Sequence, residues 1–273
     1  VNKNIDEVEF TVFDTETTGL EPQSGDRIVE IAAIRFKGNE RIATFESLLN
    51  PHRPISEGAF QVNKITPDML KDAPGIELIL PKFLDFIKDT CLCSYNAEFD
   101  LEFLNNELKL LGKNLAGDIM VIDILRMAKR LLPGLERYAL WFVAENLGIK
   151  TQQMHRALPD TELTFKVFNR LKEILKLKGI LDFVHLLNIF SINAQVLENL
   201  NVQKIAQIQE AINLGVRLKI KYISSSGMEV SEREVLPREI RQENNRSYLI
   251  GFCCLRREER TFRVDGILHL EIV

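Results

Sequence analysis

The chain has 273 residues, enough for one large domain or two modest ones, and its 45% hydrophobic and 27% charged residues describe a globular protein with a buried core. A formal net charge of −4 excludes a protein that coats DNA by bulk charge, and no apolar run reaches the length needed to cross a bilayer. The first residues enter a strand pattern without a signal-peptide signature, so no membrane partner and a cytoplasmic location are expected. Charge is uneven along the chain, with about −6 over the first two hundred residues and about +2 over the remainder.

Val8 to Phe13 is apolar and β-branched enough for a strand, and residues two apart in a strand share a face, so Asp14 and Glu16 are expected to point the same way. Two such charges repel unless neutralised, and a hard divalent cation with oxygen ligands is the usual remedy. Thr17, Thr18 and Gly19 end this strand in a turn where backbone can closely approach a ligand. Cys91 and Cys93 fall in a second apolar strand, Cys253 and Cys254 in a later one; neither pair has a zinc-type spacing, and all four are expected as reduced, largely buried thiols.

Asn96 is a candidate cap for a helix with an apolar stripe of Leu101, Leu104, Leu108 and Leu111, which puts Asp100 in or near the first turn, where the helix dipole tolerates negative charge. Pro159 is expected as the first residue of a further helix, with Asp160 just behind it and Leu163, Val167, Phe168 and Leu171 as its buried stripe. His155 then sits on the loop entering that helix, where an imidazole beside a carboxylate can take a proton near neutral pH. Taken singly, each of these residues has an ordinary reading as a polar strand end, a dipole-compensating acid or a solvated histidine.

The helical pattern continues to about Asn213 and Gly215 stops it. Ile180, Phe183, Val184, Leu187, Ile189 and Phe190 need burial, so residues 177–202 are expected as a helical connector packed on a domain or a partner subunit, not a tether. From Val216 the period is two, and turn clusters at Ser224–Gly227, Glu243–Ser247 and Arg256–Glu259 divide the rest into short strands, as in a small, strongly bent sheet or barrel.

Phe13-Asp14-Thr15-Glu16-Thr17-Thr18-Gly19-Leu20, Tyr95-Asn96-Ala97-Glu98-Phe99-Asp100 and His155-Arg156-Ala157-Leu158-Pro159-Asp160 resemble, in order and identity, the three motifs of the DnaQ-like (DEDDh) exonuclease superfamily, which includes the epsilon proofreading subunit of bacterial DNA polymerase III. Arg27 to Ala33, Asn50-Pro51, Ile65 to Leu70 and Val121 to Leu125 extend the resemblance over about the first two thirds of the chain. It implies an α/β fold, a ribonuclease H-like mixed sheet with flanking helices, over residues 1–176. It also implies that Asp14, Glu16, Asp100 and Asp160 hold two divalent ions, Mg²⁺ or Mn²⁺, with His155 as general base, in hydrolysis that releases nucleoside monophosphates from 3′ ends.

Thr17, Thr18, Leu20 and Asn96 match positions that line the family's pocket for the terminal nucleotide. The chain departs from the family at Tyr95-Asn96, where many relatives have His-Asn, and at Val62-Asn63-Lys64-Ile65, where many have Val-His-Gly-Ile, which leaves substrate preference open.

Residues 203–273 resemble the WYL domain, a small Sm-like or SH3-like β-barrel, through Ile205 to Tyr222, Val235-Leu236-Pro237, Ser247 to Phe252 and Arg260 to Asp265. Ser247 stands in place of the family's tryptophan and Gly266 in place of a common arginine. The resemblance implies binding of nucleic acid or a regulatory ligand, with Tyr222, Tyr248, Arg260 and Arg263 as the candidate contacts. Expected partners are a nucleic acid with a free 3′ end (single-stranded DNA first, RNA second), proteins of DNA repair or replication, and a second copy of the chain. The competing expectation is a non-catalytic regulator that binds nucleic acid or a ligand on a nuclease fold.

Overall fold

The computed structural model describes residues 3–150, 155–224, 228–243 and 246–273. The chain divides into two compact units, one of residues 4–173 and one of residues 174–273 together with Lys3.

In the first unit a five-stranded sheet has the order β3-β2-β1-β4-β5, with β1 (Glu9–Thr17) at its centre. The antiparallel half is a meander of β1, β2 (Ile28–Lys37) and β3 (Glu40–Leu48). The parallel half follows through β4 (Cys91–Ser94) and β5 (Val121–Asp123), each reached by a helical crossover as parallel pairing requires. Helices α1 (Glu57–Asn63), α2 (Pro67–Leu70) and α3 (Ile76–Ile87) precede β4, and α4 (Ala97–Leu110) precedes β5. Then come α5 (Ile124–Leu131), α6 (Leu140–Asn146) and α7 (Ala157–Leu177).

Alternation along β1 gives the sheet two differently packed faces. Phe10 stacks on Phe36 of β2 at 5.6 Å and meets Phe168 of α7 at 5.2 Å, so the even-numbered side chains of β1 face α7. Phe13 meets Phe83 of α3 at 5.9 Å on the opposite face. The stripe Leu163, Val167, Phe168 and Leu171 is buried as expected. Two helix starts differ from expectation. α7 begins at Ala157, with Pro159 its third residue instead of its first, because the Glu30 side chain accepts the Ala157 backbone N–H and starts the helix early. Asn96 precedes α4 in a left-handed conformation (φ 69°) with no side-chain capping bond, so it turns the chain and does not cap it.

The second unit begins with α8 (Phe183–Phe190) and α9 (Ala194–Leu214), which Gly215 ends in a left-handed cap. Strands β6 (Leu218–Ile223), β7 (Val230–Glu243), β8 (Arg246–Cys253), β9 (Glu258–Arg263) and β10 (Ile267–Ile272) form an antiparallel sheet in the order β10-β6-β7-β8-β9. Ile208 and Ala211 of α9 pack with Leu218, Ile220, Val235, Leu249 and Ile267 in its core. This differs from the expected barrel: among the described residues β9 and β10 are edges that do not pair, so the sheet is open. The expected turns at 225–227 and 244–245 lie outside the described residues. Cys91, Cys93 and Cys253 are buried, Cys254 is partly buried, and all four are free thiols.

Candidate active site

Because β4 runs parallel to both neighbours, the C-terminal ends of β1, β4 and β5 lie together, and the chemistry-bearing residues collect there. Asp14 and Glu16 occupy the face of β1 that carries α7, and Asp160 reaches them from the first turn of that helix. One carboxylate oxygen from each of Asp14, Glu16 and Asp160 lies within 4.8 Å of the others. The expected fourth acid stands beside this group and is held differently. Asp100 is 3% exposed; its Oδ1 accepts the Thr15 backbone N–H at 3.0 Å and the Thr15 hydroxyl at 2.8 Å, and its Oδ2 accepts the Ser94 hydroxyl at 2.6 Å.

The carboxylates load one another. Burial, then the charges of Asp100 and Glu16, holds Asp14 well above the usual carboxylate range. Burial together with Asp160 and Glu30 pushes Glu16 up to about 8. Burial lifts Asp100 to about 6 against the hydrogen bonds from Ser94 and Thr15, and it raises Asp160 while the neighbouring His155 draws it down. A half-buried, all-oxygen, mutually repelling donor set fits a hard divalent cation, which would replace protons as the source of neutralisation.

His155 lies on the entry to α7 in a left-handed conformation (φ 45°), partly buried and close enough to Asp160 to act on it. Two neighbours of the site were not singled out by sequence reasoning. Glu30 is 1% exposed in the apolar first half of β2, and Arg156 grips it with Nε at 2.9 Å and Nη2 at 2.5 Å. The available signal was a lone carboxylate inside Ile28-Val29-Glu30-Ile31-Ala32. Asp123, 3% exposed, accepts the N–H groups of Leu125 at 2.8 Å and Arg126 at 3.2 Å, which starts α5 next to the second motif.

The other expected contacts are placed unequally. The Thr17 hydroxyl donates to the Gly19 carbonyl at 2.5 Å, and the Thr18 hydroxyl donates to Asp26 Oδ1 at 2.8 Å while accepting the Arg27 N–H at 3.1 Å, so both side chains hold the turn itself. Leu20 is 78% exposed beside that turn, and Asn96 is exposed too. In the second unit, the Tyr222 ring meets Phe262 edge-on at 5.2 Å and packs against the core, and Arg263 forks onto Asp265. Arg260 is exposed and pairs with Glu258 at 3.1 Å, while Tyr248 lies opposite Arg263 on neighbouring strands.

The RNase T exonuclease model matches residues 11–168, a stretch that contains Asp14, Glu16, Asp100, His155 and Asp160. The chain belongs to this exonuclease family. A WYL domain model matches residues 203–272 of the same chain. Among curated relatives, a PolC-type DNA polymerase III of Caldanaerobacter subterraneus is 34% identical over 91% of this chain and 18% of its own length. A DNA polymerase III subunit epsilon-like protein of Rhodobacter capsulatus is 39% identical over 66% of this chain and 26% of its own. The chain thus spans about a fifth to a quarter of these relatives. The structure of exonuclease X in complex with 5′-overhanging duplex DNA is 27% identical with a TM-score of 0.50, covering 62% of this chain and 93% of that one. Escherichia coli exonuclease I with a dT13 oligonucleotide shares the fold at 18% identity and a TM-score of 0.55, over 90% of this chain and 55% of that one. No helix among the described residues is long and apolar enough to cross a membrane.

Proposed function

We propose that this exonuclease is a metal-dependent 3′ to 5′ enzyme of the DEDDh type that removes nucleoside monophosphates from single-stranded DNA, with RNA as a second substrate class. The observation that carries this reading is the convergence of Asp14, Glu16 and Asp160 from two distant segments, with Asp100 and His155 beside them. Asp14, Glu16 and Asp160 would hold a divalent cation, and Asp100 would complete the charge for a second, as Mg²⁺ or Mn²⁺. When bound, such ions stabilise the negative charge that builds on the attacked phosphate and lower the pKa of the attacking water.

The rest is done by the chain's own residues. His155, partly buried at the helix entry beside Asp160, accepts the proton of the water that attacks the terminal phosphodiester. Leu20, exposed beside the turn that Thr17 and Thr18 brace, lies against the terminal base without reading its identity. Asn96, exposed where the chain turns into α4, is assigned a further contact with the terminal nucleotide. In the C-terminal WYL domain, we assign contact with nucleic acid or a regulatory ligand to Tyr248 and Arg260, since Tyr222 and Arg263 are engaged within the sheet. Relatedness to polymerase III proteins supports a place in DNA replication or repair.

The test is incubation of 5′-labelled single- and double-stranded DNA and RNA with Mg²⁺ or Mn²⁺, using the full chain and its Asp14→Ala variant. A ladder shortening from the 3′ end with the full chain only supports the reading. Cutting that survives in the variant, or binding without any cutting, would reject it, the second outcome in favour of a regulator.

A further inference from the structure

Glu30 lies directly opposite Glu16 in the antiparallel β1–β2 ladder, so both carboxylates emerge on the face that carries α7. Left alone, that pair would add like-charge repulsion to a site already crowded with acids. It is not left alone. Three donors converge on the buried Glu30 carboxylate: Arg156 Nε at 2.9 Å, Arg156 Nη2 at 2.5 Å and the Ala157 backbone N–H at 2.9 Å. Both oxygens are committed to this fork, so Glu30 is set apart from the three acids whose oxygens converge.

Arg156 and Ala157 are consecutive at the entry to α7, directly after the left-handed His155 and within one turn of Asp160. A non-glycine residue keeps such a conformation only where its surroundings impose it. The Asp160 backbone N–H bonds the Arg156 carbonyl at 3.1 Å, so anchoring Arg156 also anchors the turn that bears Asp160.

We propose that Glu30 and Arg156 are positioning residues for the hydrolysis, fixing the entry to α7 on β2 and so setting where His155 and Asp160 stand relative to Asp14 and Glu16. The proposal rests on the exonuclease reading above. A bidentate guanidinium is required, since a lysine supplies the charge without the planar fork.

The test compares the full chain with its Glu30→Gln and Arg156→Lys variants in two measurements: binding of Mn²⁺ alone by calorimetry, and kcat and KM for shortening a 5′-labelled oligonucleotide. Thermal unfolding verifies that each variant is folded. Both variants are expected to lose about 10–100-fold in Mn²⁺ affinity and in kcat, as is usual when a partner that orients a metal ligand is removed, with KM for the oligonucleotide unchanged. Should Glu30→Gln fail to fold, Arg156→Lys, which retains the charge, decides the matter. Wild-type kcat and Mn²⁺ affinity in a folded Arg156→Lys protein would overturn the proposal. So would a loss that follows only the folded fraction. If the unaltered chain binds Mn²⁺ but cuts nothing, the exonuclease reading fails by itself, and the Mn²⁺ affinities still judge the positioning pair; a chain that does neither overturns both.

Discussion

Replacing Glu16 with glutamine should make the cation-free protein more stable while removing its response to divalent metal. Glu16 rises from a usual 4.5 to about 8, first because it is buried and then because Asp160, Glu30 and Asp100 surround it. Between those two values the folded state keeps a proton that the unfolded chain releases. The folded state therefore binds more protons, and stability in EDTA falls as pH rises from about 4.5 towards 8. Near pH 7 the penalty is on the order of 3 kcal/mol, from roughly 2.5 pH units at about 1.4 kcal/mol each. A glutamine is neutral in both states, keeps the partnership that Asn63 offers the side chain, and escapes the penalty. For a unit of this size, scanning calorimetry in EDTA at pH 7 should then show the transition of residues 4–173 raised by about 5–10 °C in Glu16→Gln. Added Mn²⁺ should raise the wild-type transition and leave the variant nearly unmoved, because one of the three converging carboxylates becomes a neutral amide and its charge is lost. A variant less stable than wild type in EDTA, or wild-type stability that climbs between pH 5 and 8, would refute the electrostatic reasoning.

Ser94→Ala removes one of the hydrogen bonds that hold the Asp100 carboxylate, so urea unfolding should show a loss of about 1–3 kcal/mol and the 3′-trimming rate should fall. In the second unit, burial lowers Lys204 from 10.5 to about 8, so the folded state binds fewer protons than the unfolded chain above that pH, and stability should increase from pH 8 towards 10. Lys204→Met should flatten that rise in urea titrations followed across the same range. At Gly251 an added Cβ would lie 2.6 Å from the Leu236 carbonyl oxygen and 2.8 Å from Val235 Cγ1, so Gly251→Ala should destabilise the sheet by about 1–3 kcal/mol. Hydrogen exchange in β7 and β8 should speed up accordingly; unchanged protection would show that the close approach is relieved by a shift elsewhere.

Local pattern in the amino-acid sequence makes much of this legible. Asp14 and Glu16 share a face because strand period is two, and Asp100 falls in a first helical turn because the leucine stripe that follows sets the phase of α4. The change from a helical period to a period of two after Gly215 marked the start of the C-terminal strands. Where expectation and structure part, a distant residue decides. Pro159 is a good first helical residue, yet α7 starts at Ala157 because a carboxylate from β2 supplies the acceptor for that N–H. Asn96 is a good cap by composition, yet its left-handed backbone leaves the side chain outside the helix start. Alternating strands point to a bent sheet, but nothing local says whether β9 and β10 meet, and here they are open edges.

The amino-acid sequence by itself determined the family, the identity of the five candidate reacting side chains and the order in which the chain presents them, since those are properties of short segments and their spacing. Only the tertiary structure decided that three of the four acids converge, that Asp100 is tied to Thr15 and Ser94, and that Glu30 and Arg156 fasten the third motif to β2. The physical reason is separation: these partners lie up to 127 positions apart in the chain, and a pairing of that range is set by sheet register and burial, which no local period encodes.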